Sequence, residues 1–199
     1  MVAAATTIFA TRGFNAASMD DIAEASGITK PMLYAYFDSK EGLFLACVEK
    51  GSSALRARVR EAALAASTPQ EALYAGLVAV MRFVDDNDEL WAVLYPHGPG
   101  SGGTFAEAAA RAHDEMSALL AELMTMLATS RGVDAEVALE SEPLAHALTG
   151  ATIAVGSWSR GRDEPAELHA LRLMNFAWIG LGEMIEGELW MPPAGEPGR

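Results

Sequence analysis

The segment TKPMLYAYF (residues 29–37) places hydrogen-bond donors around an apolar centre. Projected as a helix at about 100° per residue, Leu33 and Phe37 share one side, and Pro31, Met32 and Ala35 share the opposite one. Tyr34 and Tyr36 lie on the two flanks, with Thr29 and Lys30 in the first turn. Ser18 and Lys40, a short distance away in sequence, add a hydroxyl and an ammonium. A short helix with small or adaptable residues at its centre and donors at its edges suits the major groove of duplex DNA, whose walls are phosphate and sugar. Catalytic chemistry has no comparable candidate. There is no Gly-x-Ser-x-Gly, phosphate loop or His-Glu-x-x-His, so no enzyme activity and no cofactor are expected. His97, His113, His146 and His169 show no paired metal spacing, and no metal site is expected.

The elements that must position these donors are helices. Alternating strand-like runs of useful length are absent, and apolar residues recur at helical spacing nearly throughout. The first helix is expected over Ala3 to Arg12, closed by Gly13. Ser18 caps a second through Ala25, ended by Gly27, and the third spans Thr29 to Phe37. Ser39 caps a fourth, from Lys40 to about Ala66, with weak spots at Gly51 and its serine neighbours. Thr68-Pro-Gln-Glu71 forms a capping box opening a helix to about Val84. A turn at residues 85–88 leads to a short helix from Glu89 to Tyr95. The glycine-rich run 96–103 reads as a flexible loop. Thr104 to Glu107 is a second capping box, opening a long helix to about Ser130. Two more helices are expected, from Asp134 to Ser159 with a bend at Pro143, and from Pro165 to about Glu188. Residues 191–199 are expected to be disordered.

Composition bounds the partners. The chain has 199 residues, half of them apolar, and a net charge of −13. Residues 1–50 carry −2 of that charge, so the acidic load lies mainly on the remainder. Non-specific coating of nucleic acid is thereby excluded, and DNA contact would rest on a few placed cations. No apolar run approaches the roughly 18 residues of a membrane span, and no secretion signal is recognised at the start. The single cysteine, Cys47, fits a reducing cytoplasm and a buried structural thiol.

The stretch GFNAASMDDIAEASGITKPMLYAYFDSKEGLF resembles the DNA-binding domain of the TetR family of regulators. The ordered matches are Phe9, Gly13-Phe14, Asp21 to Ala23, Gly27-Ile28, Lys30-Pro31, Leu33-Tyr34, Tyr36-Phe37, Ser39 to Glu41 and Leu43. The resemblance implies an all-α protein with a three-helix helix-turn-helix head at residues 1–46. A larger helical ligand-binding and dimerisation body would follow at 47–190. It implies DNA contacts from Ser18, Thr29, Lys30, Pro31, Met32, Tyr34, Ala35, Tyr36 and Lys40. Two departures stand out. The first helix begins almost at the first residue, where relatives generally carry a few more, often basic; the native N-terminus is expected to be longer or phosphate affinity lower. The recognition helix also lacks Arg, Asn and Gln, the strongest base readers.

In the body, large adaptable side chains occur on separate helices. Tyr74, Val78 and Met81 share one face, Trp91 and Tyr95 form an i,i+4 pair, and Phe105, Met116 and Leu120 lie along the next long helix. Plain core packing and the lining of an apolar pocket both fit this pattern. His113, His146, Thr149 and Tyr95 are candidate polar anchors for a small, mostly apolar ligand. Further along, Gly150, Ala151, Ala154 and Gly156 allow close helix approach. Leu173, Phe176, Ala177, Gly180, Leu181 and Met184 form an apolar stripe. The resemblance implies that these last two helices pair with their copies in a homodimer. The expected function is a cytoplasmic, ligand-responsive transcriptional repressor released from its operator by a small apolar molecule. The alternative is a helical sequestering protein with weak or lost DNA binding.

Overall fold

The computed structural model describes residues 1–96, 104–129 and 141–185, and all their regular structure is helical. The elements are α1 (Val2–Ala16), α2 (Met19–Ser26), α3 (Lys30–Phe37), α4 (Lys40–Leu64), α5 (Pro69–Asp86) and α6 (Asp88–Leu94). They are followed by α7 (Thr104–Thr129), α8 (Ser141–Ser159) and α9 (Ala166–Ile185). Residues 97–103 of the loop expected at 96–103, the start of the helix expected from Asp134 and the tail at 191–199 lie outside the described residues.

Local chemistry sets the helix ends. Ser18 accepts a hydrogen bond from the Asp20 backbone N–H at 3.0 Å, and Asp20 and Asp21 place negative charge at the positive end of α2. At the other end Gly27 is left-handed (φ 67°, ψ 28°), and its N–H reaches the carbonyls of Ala23 and Glu24. A side chain at that φ meets its own backbone, which is why glycine makes the turn. Ser39 caps α4 through the Gly42 N–H at 3.0 Å, and Thr68 caps α5 through the Glu71 N–H at 3.2 Å. The Glu71 carboxylate accepts in return from the Ser67 N–H.

Three boundaries differ from expectation. Helical structure resumes after Gly13, whose non-helical backbone (φ 73°, ψ 165°) makes a kink inside α1. α4 runs through Gly51 without a break, because Gly51 is buried against Leu90 and Leu94 of α6 and gains contacts there. α5 continues to Asp86, which narrows the expected turn to Asn87.

Helices α1–α3 and the start of α4 enclose a small core. Leu33, Ile22 and Leu43 are fully buried in it, with Phe9, Ala23 and Phe44 close to fully buried. The Phe9 and Phe44 rings meet edge to face at 5.3 Å between centroids, and Phe14 and Phe44 at 5.7 Å. α4 is the longest link between this head and the body, about 37 Å at 1.5 Å per residue, and packs on α1, α5, α6 and α7. α5 lies against α9, and α7 against α8. Among the described residues, no helix is long and apolar enough to cross a membrane.

Candidate nucleic-acid interface and ligand site

The three-residue link between α2 and α3, Gly27 to Thr29, turns the third helix so that one side seals the head and the other meets solvent. Leu33 points inward and Phe37 is half-buried against the core. Pro31 and Ala35 are exposed, Met32 is 48% exposed, and Tyr34 and Tyr36 are exposed on the flanks. Thr29 adopts the extended conformation of an N-cap but makes no side-chain cap hydrogen bond, leaving its exposed hydroxyl at the positive end of α3.

The cations of this face are held by the head itself. Lys30 Nζ lies 2.8 Å from Asp20 Oδ2, and that hydrogen bond raises the lysine pKa above its ordinary value. Arg12 pairs with Asp21. Lys40 donates to the Asn15 carbonyl at 3.3 Å and sits 4.4 Å from the centre of the Phe14 ring. It fastens the end of α1 to the start of α4, a role that its sequence position did not reveal. The Ser18 oxygen accepts from Asp20 N–H, which leaves the hydroxyl proton available to an outside acceptor.

The body residues divide. Trp91 and Met81 are fully buried and Met116 nearly so. The Trp91 indole N–H donates to Ser157 Oγ at 3.1 Å, and its ring lies 4.7 Å from that of Tyr95. Trp91 fills the space left by Gly156 on α8; a Cβ there would come within 2.8 Å of the indole. Burial pushes the Tyr95 hydroxyl up to about 12. Tyr74, Val78 and Leu120 are half-buried against the same core. The Phe105 side chain lies outside the described residues.

A groove of about 770 Å³ opens between α7 and α8, lined by Asp114, Ala118, Ala121, Glu122, Thr125, Ser141, Glu142 and His146. Of the expected ligand residues, His146 borders it. Three of its eight lining residues are acidic. Beside it the His113 and His146 rings stand 5.4 Å apart. Ser117 Oγ on α7 and Thr149 Oγ1 on α8 are buried without a hydrogen-bond partner in the chain. Ser117, one helical turn from His113, was missed because a serine in an apolar helix carries no signal by itself. Among the described residues no group of three or more potential ligands forms a metal site.

The family model for bacterial regulatory proteins of the tetR family matches residues 1–47. The model described as tetracyclin repressor-like, C-terminal domain, matches residues 69–180. The chain belongs to the TetR family. It is a DNA-binding transcriptional regulator. Members of the family bind DNA operators and ligands and typically act as dimers. The chain is 25% identical over 186 residues to the HTH-type transcriptional activator FasR of Mycolicibacterium smegmatis, covering 92% of this chain and 82% of that one. The crystal structure of a TetR-like transcriptional regulator from Rhodococcus sp. RHA1 is similar at a TM-score of 0.71 and 31% identity, covering 91% of this chain and 93% of that one. The FadR regulator of Bacillus subtilis, solved in complex with stearoyl-CoA, shares the fold at a TM-score of 0.68 and 13% identity, covering 88% and 95% of the two chains.

The last two helices are where the sequence leads one to expect contact with a second copy. Leu173 and Ala177 turn inward and are buried within the single chain, where α9 packs on α5. Gly150 looks at His113 of α7, and Ala151 is half-buried against the core. These four serve packing within one chain. Ala154 is exposed, as is Phe176 at 74%. Trp158 and Leu171, absent from the sequence expectation, are also exposed, Trp158 beneath the Arg162 guanidinium at 3.9 Å. Gly180, Leu181 and Met184 have side chains outside the described residues.

Proposed function

We propose that this TetR-family regulator is a homodimeric repressor whose operator affinity falls when a small, mostly apolar molecule binds the body. One observation carries the DNA half of the reading: α3 buries Leu33 while presenting Pro31, Met32 and Ala35 between two exposed tyrosines. Thr29, Ser18 and the Tyr34 and Tyr36 hydroxyls would meet phosphates. Lys30 and Lys40 each spend one N–H on Asp20 and on the Asn15 carbonyl and would offer the others to phosphates. Residues 1–46 act as the head and 47–190 as the body. The partner surface is the outward side of α8 and α9, with Ala154, Trp158, Leu171 and Phe176.

Two ties support transmission from body to head. Thr7 on α1 donates to Glu89 on α6 at 2.6 Å, and Asp88 on α6 is held by Arg160 beyond the end of α8. α6 thus connects the head to the α8 region, while α4 runs from the head into the body. A ligand that favours a different seating of α6 would change the spacing of the two heads by its differential affinity for the two arrangements. Stearoyl-CoA belongs to the Bacillus subtilis relative; the acidic rim beside α7 and α8 argues for a ligand of lower negative charge here. The test is to identify the apolar molecule that co-purifies and titrate it into operator complexes during in vitro transcription. Repression relieved by the molecule supports the reading. Unchanged operator affinity with the molecule bound overturns the ligand response, and transcription raised by the free protein overturns repression.

A further inference from the structure

The exposed centre of α3 offers no hydrogen bond to a base. Pro31, Met32 and Ala35 carry no polar side-chain group that reads acceptors or donors, and the remaining residues of KPMLYAYF include no Arg, Asn or Gln. Lys30 lies in the first turn, away from that centre, with its ammonium 2.8 Å from Asp20. Arg12, elsewhere in the head, is paired with Asp21. The C5 methyl of thymine is the apolar group that bases present in the major groove. Met32, half-exposed, unbranched and polarizable, is suited to follow its position.

We infer that Met32 and Ala35 are the specificity-determining residues of the operator contact and that they select thymines through the C5 methyl. The inference rests on the regulator reading above. Thymine would be favoured beneath the centre of α3, and Lys30 would remain on Asp20, bracing α3 against α2.

The experiment selects a preferred duplex for the full chain from a random-sequence pool, then replaces the thymines of each half-site one at a time with deoxyuridine. Deoxyuridine keeps the pairing edge and removes only the methyl. Binding is expected to weaken about fourfold at each thymine contacted, the factor for one buried methyl-sized group. Met32→Ala is expected to weaken binding to the thymine duplex and to abolish the deoxyuridine effect at one position. Met32 is exposed, so this variant leaves the head core intact. Replacing half-site guanines with 7-deazaguanine, which lacks the N7 acceptor, is expected to change little. A selected duplex that tolerates deoxyuridine everywhere, or that loses affinity to 7-deazaguanine instead, overturns methyl reading while leaving the regulator reading in place. A pool that yields no preferred duplex overturns both.

Discussion

Leu33 and Met32 are adjacent in sequence and opposite in role, and substitutions at the two should separate folding from binding. Leu33→Ala removes a fully buried side chain from the head core and should cost about 2–5 kcal/mol, read as a lower urea midpoint. Tyr34→Phe and Tyr36→Phe delete exposed hydroxyls. Each should leave the midpoint unchanged and weaken operator binding about 10- to 150-fold, the weight of one hydrogen bond to a charged acceptor, in a gel shift. Tyr95 gives a pH signature of the body. An unfolded tyrosine ionises near pH 10, whereas buried Tyr95 keeps its proton to about 12. The native state therefore binds more protons across that interval, and stability falls as pH rises from about 10 to 12. Tyr95→Phe should remove roughly 2–3 kcal/mol of that fall, measured as the difference between the two proteins' urea midpoints at the ends of the interval.

At the scale of elements, helix ends were legible and helix faces only partly. Ser18, Ser39 and Thr68 announce their helices because a cap is a contact within three residues, complete in the local sequence. The inward side of α3 was legible for a related reason: Leu33 and Phe37 are an apolar pair on a short helix with one neighbouring core. α8 was not. Its small residues face several neighbours, and which of them meets α7, α6 or solvent depends on partners distant in sequence. Gly156 shows this well, since the reason for it is the indole of Trp91. Gly156→Ala should destabilise the body by about 1–3 kcal/mol through overpacking. The loss should appear as a lower thermal midpoint, and Gly156→Ala combined with Trp91→Phe should lose less than the two single changes summed. The partners of Lys30 and Lys40 were equally hidden, because sequence spacing does not show which donors the fold itself will use.

For the whole molecule, the placement of charge and of apolar surface governs behaviour. A net charge of −13, with Arg12 and Lys30 in ion pairs within the head, leaves few cations for phosphates. Operator affinity should therefore fall less steeply with salt than in strongly basic binders, where each neutralised phosphate adds a slope of about −0.9. Trp158, Leu171 and Phe176 are exposed on α8 and α9, and the proposed dimer would cover them. Phe176→Asp together with Trp158→Asp should shift the protein to monomer in sedimentation and lower operator affinity at least about tenfold, as two linked heads become independent. The central claim is that paired α3 faces lie in successive major grooves, and hydroxyl-radical footprinting of the wild-type protein on its selected operator tests it most directly. Two protected tracts are expected on one face of the duplex, about 34–36 Å apart, both lost in the double aspartate variant. A single protected tract from one chain per duplex, or protection that persists unchanged when Tyr34 and Tyr36 are both replaced by alanine, would contradict it.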